Sequence, residues 1–85
     1  MLANDLKKGM QVQLRNGWMA ELLDSKKGNI RTAKVFGYFT EVGSIYAHDI
    51  LLVRVARQDG TTEWEPVTLS PAQVKAAQLI KAAGF

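Results

Sequence analysis

Lys26, Lys27, Arg31 and Lys34 crowd four cations into one short segment. With Asp24 included, it carries a net +3 over eleven positions. Cations so spaced on a hairpin tip can neutralise phosphates, and Arg15 on a neighbouring turn extends the set. Trp18, Tyr38 or Tyr46 would then offer rings on which bases stack. The plainer alternative is a solvated loop that keeps the protein in solution, because paired lysines at turns are common.

Other chemistry-bearing residues are sparse. Tyr46-Ala47-His48-Asp49 holds the only histidine. In an extended strand His48 and Asp49 would point to opposite faces and form no dyad. The simpler assignment makes Asp49 a turn cap and leaves His48 exposed or bonded to backbone. Glu63 and Glu65 sit two apart, as paired carboxylates for acid–base work do, but they alternate around Trp64 and read as a solvated strand face. Cysteine is absent, which excludes disulfides and thiolate zinc sites. One histidine among scattered carboxylates makes a poor metal site. No glycine-rich phosphate loop and no nucleophile elbow occurs. These absences argue against an enzyme and imply no cofactor and no metal.

Composition frames this reading. An 85-residue chain predicts a single domain over 1–85. Its hydrophobic content of 47% is that of a globular protein, which argues against disorder. Net charge is +3 with a pI of about 9.5, mild enough that the placement of the cations matters more than their total. No apolar run reaches the ~20 residues of a membrane span, and the opening Met1-Leu2-Ala3-Asn4-Asp5 lacks a secretion signal's pattern. The expectation is a cytoplasmic protein that does not engage a membrane.

The elements that must position these residues are mostly strands. Met10 to Leu23 alternates around Asn16-Gly17, a strong hairpin signal. A two-residue turn would place Glu21 on the apolar face with Val12. A three-residue loop Arg15-Asn16-Gly17, with Gly17 left-handed, pairs Leu14 with Trp18, Val12 with Ala20 and Met10 with Leu22. Burying a lone carboxylate costs several kcal/mol, so the longer loop is preferred, with Trp18 in the core against Leu14. Ile30 to Phe39 reads as a third strand of unclear phase, and Thr40 to Ser44 as a loop. Leu51 to Arg57 is the next strand. A two-residue Asp59-Gly60 turn would pair Val55 with Trp64 and Arg54 with Glu65. Pro66 ends the last strand or marks an edge.

Ser70-Pro71-Ala72-Gln73 opens a helix with an N-cap, a proline at the first turn and a capping-box glutamine. It runs to about Ala83, with Gly84 as terminator. Ala72, Ala76, Leu79, Ile80 and Ala83 share its expected contact face. Before the first hairpin, Asn4 or Asp5 caps a turn ending at Gly9, or Leu6 is an extended lead-in tucked under the sheet.

The run Leu6-Lys7-Lys8-Gly9-Met10-Gln11-Val12-Gln13-Leu14-Arg15-Asn16-Gly17-Trp18 resembles the opening of small SH3-like barrels. There a leucine, a basic pair, a glycine and a hydrophobic-x-valine step lead into the first hairpin. The chain's size and its Gly-Ser-Ile-Tyr-Ala-His-Asp stretch are similar in style to small phage and prophage proteins. The expected fold is mainly β: a five-stranded SH3-like barrel or bent antiparallel sheet over 6–69, with a C-terminal helix over 70–84. The expected function is a non-catalytic binding module, acting as a weak electrostatic nucleic-acid binder through Arg15, Lys26, Lys27, Arg31 and Lys34. The alternative is a phage- or prophage-encoded protein-interaction or inhibitory factor that acts as a homo-oligomer, with a host protein as partner. A homodimer through the helix, with Phe85 at or near the interface, is the expected assembly. Val74 and Ala77 lie off the contact face; the rival is a monomer whose helix lies flat on the open end of the barrel, with Val74 covered by Pro66-Val67-Thr68-Leu69.

Overall fold

Alternating apolar positions and glycine-bearing turns fold into six strands. A computed structural model describes residues 1–83. The strands are β1 (Gln11–Leu14), β2 (Met19–Leu22), β3 (Ile30–Phe36), β4 (Thr40–Tyr46), β5 (Ile50–Ala56) and β6 (Thr62–Pro66), followed by the helix α1 (Pro71–Ala82). They form one open antiparallel sheet in the order β4-β3-β2-β1-β5-β6. The protein is therefore mainly β with one C-terminal helix, and it has six strands where five were expected. A meander builds the first four. A 3-10 turn at Ala47–Asp49 then carries the chain back, so that β5 pairs with the free side of β1.

The first hairpin has the three-residue loop. Val12 faces Ala20, Leu14 N–H donates to Trp18 O at 2.8 Å, and Gly17 takes φ 89°. The same loop closes β5 onto β6. Arg57 N–H donates to Thr61 O at 2.8 Å, and Gly60 takes φ 88°. In each loop the residue before the glycine accepts a backbone N–H two positions on, Asn16 from Trp18 and Asp59 from Thr61, both at 3.0 Å. The expected two-residue Asp59-Gly60 turn is therefore corrected, and the register moves by one. Arg54 faces Trp64, and Glu65 faces Val53. Trp64 thus leaves the apolar side, and the expected Arg54–Glu65 pair does not form. Arg54 donates to Gln11 Oε1 instead, while Glu63 pairs with Arg57 and Glu65 with the Met1 nitrogen.

A second correction concerns 37–46. The third strand stops at Phe36, Gly37–Phe39 make the turn, and β4 occupies the stretch expected to be a loop. Gly43 suggested a turn there, yet it lies in mid-strand opposite Ala33.

One side of the sheet is buried. Val12, Leu14, Ala20, Leu22, Ala33, Ile50 and Val53 pack there with Leu6, which the extended lead-in inserts into the core. Trp18, expected among them, is instead 40% exposed. Its ring lies on the backbone of Gly37, where a Cβ would come within 2.5 Å of the indole, and it meets Tyr38 edge to face. The segment Met1–Ala3 runs beside Pro66–Thr68, with Ala3 N–H donating to Thr68 O at 2.9 Å.

The cap of α1 forms as its residues require. Gln73 N–H donates to Ser70 Oγ and Ser70 N–H to Gln73 Oε1. The helix is rotated from expectation. Gln73 is buried, with Nε2 donating to Gly28 O and Asn4 Oδ1, both at 3.0 Å. That polar anchor turns Gln73, Ala76, Ala77 and Ile80 inward and leaves Ala72 and Leu79 exposed. Gly84 and Phe85, assigned to helix termination and to an interface, lie outside the described residues. Among the described residues no helix is long and apolar enough to cross a membrane.

Candidate nucleic-acid interface

The five cations singled out from the sequence land in four places. Arg31 shares strand parity with Ala33 and Val35, so it points inward and is 0% exposed. Its Nε donates to Asp24 Oδ1 at 2.6 Å, and its Nη2 donates to Leu6 O at 2.7 Å and Asp24 O at 2.9 Å. A guanidinium buried this way cannot meet a phosphate, and Arg31 is corrected from ligand to internal clamp. It ties the N-terminal lead-in to the β2–β3 loop. Burial by itself would raise the Asp24 pKa. The Thr32 N–H, the Arg31 guanidinium and the Lys26 N–H outweigh that and hold it at about 2.

Lys34 projects from the outer side of β3, between Glu21 and Val42. Arg15 lies on the β1–β2 loop, where its Nη2 donates to His48 O at 2.7 Å and its Nε is 3.5 Å from Asp49 Oδ1. Only Lys26 and Lys27 stand together, exposed, on the β2–β3 loop.

The fold brings that pair two further cations. Lys8 N–H donates to Ser25 Oγ at 3.0 Å, which sets Lys7-Lys8 beside Lys26-Lys27. All four lysines are exposed. The loop beneath them is pinned by Gly28 N–H to Asn4 Oδ1 and by Gln73 to Gly28 O. Asp24, the acidic residue of the loop, is already neutralised by Arg31. Among the described residues no lysine enters an ion pair, whereas Arg15, Arg31 and Arg57 all do. The uncommitted positive charge is therefore mostly ammonium. Lysines attract phosphate as point charges and lack the forked geometry that reads guanine.

The aromatic residues divide between the two ends of β2 and β3. Trp18 and Tyr38 sit at the Gly17 end, away from the lysines. Tyr46 is at the lysine end, opposite Ile30, with its ring stacked on His48 at 4.9 Å. His48 is buried and its ring meets a side chain, where a ring exposed or bonded to backbone was expected. Asn29 holds its Nδ1 at 2.9 Å. The 3-10 turn brings His48 Nε2 within 3.9 Å of Asp49 Oδ1, too far for a hydrogen bond. Arg15 and Asn29 thus lock this corner as a structural joint. A groove of about 440 Å³ runs from it along α1, lined by Tyr46, Val74 and Ile80 among others.

Comparison of the chain with protein-family models, with curated proteins and with solved structures finds no match.

Proposed function

We propose that this protein is a small non-catalytic binding module that takes up nucleic acid by charge, through Lys7, Lys8, Lys26 and Lys27. The observation that carries this reading is the hydrogen bond between Lys8 and Ser25, seventeen positions apart, which joins the two lysine pairs into one exposed patch. Binding of this kind is weak, indifferent to sequence and steeply dependent on salt. Tyr46, at the same end, supplies the nearest stacking surface.

Each phosphate neutralised contributes about −0.9 to the slope of log affinity against log salt on duplex DNA and about −0.7 on single strands. Four lysines therefore predict a loss of about 150-fold on a duplex, or about 50-fold on a single strand, between 50 and 200 mM salt. Fluorescence anisotropy with labelled oligonucleotides measures this. Changing Lys26 and Lys27 to glutamine should lower the slope by about two on a duplex. Absence of any anisotropy change at low salt with DNA or RNA refutes the proposal.

A further inference from the structure

The two edges of the sheet are finished differently. At β6 the edge carries Pro66, Glu63 and Glu65, and the Met1 nitrogen lies 3.0 Å from Pro66 O. Proline, charge and a covering segment are the usual protections against edge-to-edge pairing. At β4, among the described residues, there is neither a proline nor a covering segment. Thr40-Glu41-Val42-Gly43-Ser44-Ile45-Tyr46 has no proline and no lysine, and Glu41 is its only charge. Val42 is 65% exposed on it.

Two hydrogen bonds settle which backbone groups of β4 face outward. Leu23 N–H donates to Thr32 O, so Thr32 turns its polar groups toward β2. Ala47 N–H donates to Asn29 O, which extends the β3–β4 ladder by one step. In an antiparallel ladder such residues alternate. Glu41, Gly43 and Ile45 therefore bond to β3, and Thr40, Val42, Ser44 and Tyr46 turn both N–H and C=O to the open side.

We propose that β4 pairs antiparallel with β4 of a second copy of this chain, about a two-fold axis at Gly43. In that register Thr40 faces Tyr46 and Val42 faces Ser44, each an outward residue against an outward residue, so all four bond. A slip of one residue sets outward groups against inward ones, and a slip of two loses one of the four pairs. Gly43 meets Gly43 at a non-hydrogen-bonded position, where the Cα atoms come closest. Glu41 falls opposite Ile45, four positions from the other Glu41. A parallel arrangement in register would set the two carboxylates together. At each end of that pairing the Gly37–Phe39 turn of one copy approaches the Ala47–Asp49 turn of the other, at the mouth of the groove along α1. That contact covers two of the most exposed aromatic side chains, Tyr38 at 91% and Phe39 at 78%. Val74, Ala77 and Ile80 line the groove, and Leu79 is the large apolar side chain left outermost.

Sedimentation of the full chain at high micromolar concentration tests the pairing. The expected mass is twice the 9.4 kDa chain. Val42→Pro removes an outward N–H without touching the β3–β4 ladder and should leave a folded monomer; Ser44→Pro does the same from the other side of the axis. The chain has no cysteine, so Gly43→Cys adds a single thiol at a position with no atom within 4 Å of the new Cβ. Across a non-hydrogen-bonded pair the Cα separation of about 4.5 Å lies in the disulfide range. Gly43→Cys should therefore cross-link on mild oxidation, and Ser25→Cys should not. A single species at the chain mass overturns the proposal. So does a dimer that survives both prolines while Gly43→Cys stays uncross-linked, and so does a monomer whose edge takes only a foreign extended peptide.

Discussion

Replacing Arg31 with methionine removes a fully buried guanidinium and keeps most of its apolar volume. Three short hydrogen bonds are lost, to Asp24 Oδ1, Asp24 O and Leu6 O. The Leu6 carbonyl and the Asp24 carboxylate remain inside without this donor. Breaking a buried pair from one side costs about 3–5 kcal/mol. At about 0.05–0.15 kcal/mol per residue, an 85-residue domain holds roughly 4–13 kcal/mol in all, so the variant sits near the edge of folding. Acid reports on the same clamp. The Asp24 pKa is about 2 in the fold against an ordinary 3.8. A depressed carboxylate pKa stabilises the protein above about pH 4, and that contribution is lost as pH falls toward 2. That difference corresponds to about 2 kcal/mol, or about 1 kcal/mol once solvent screening is allowed for. Urea unfolding of wild type, Arg31→Met, Asp24→Asn and the double variant at pH 7 and pH 3 measures both effects. The double variant should cost less than the sum of the singles by about 1 kcal/mol or more. An Arg31→Met variant within about 0.5 kcal/mol of wild type would refute the clamp, since only surface changes are that small.

Three further outcomes follow from the geometry. Gly17→Val and Gly60→Val each force a β-branched residue to positive φ and should cost about 1–2 kcal/mol in thermal unfolding; no loss at either site contradicts the shared loop. In a Trp64→Phe background, Gly37→Ala should push the Trp18 indole off the backbone and red-shift its emission, whereas an unshifted spectrum means that the ring does not rest on Gly37. Gln73→Ala removes the anchor of α1 and half its capping box, at a cost of about 1–2 kcal/mol. Hydrogen exchange should then accelerate in α1 while β1, β2 and β5 stay protected; uniform protection would show that the helix is held in some other way.

Much of the architecture was legible because a few residues carry strong local signals. Asn16-Gly17 with alternation on both sides led to the Val12–Ala20 register, and Ser70-Pro71 with Gln73 led to the helix cap. The second hairpin was misread although it repeats the first. Asp59 precedes Gly60 as Asn16 precedes Gly17, and each accepts from the backbone N–H two residues on. The fate of Arg31 was also written in its parity with Ala33 and Val35, but the phase of β3 stayed ambiguous while Phe36 and Ile30 competed as core residues. The helix rotation was not legible, because it depends on a buried glutamine reaching Gly28 and Asn4 from distant parts of the chain. For the same reason Lys7 and Lys8 escaped notice beside Lys26 and Lys27: only the tertiary contact at Ser25 unites them.

Residue-resolved NMR titration with a short oligonucleotide at low salt tests the assigned interface most directly. The largest amide shifts are expected at Lys7, Lys8 and the loop from Ser25 to Gly28, with a smaller response at Tyr46 and none at Arg31. These shifts should fade between 50 and 200 mM salt as released counterions compete for the phosphates. Shifts confined to the Trp18, Tyr38 and Phe39 end, or an unperturbed spectrum at low salt, would contradict that interface.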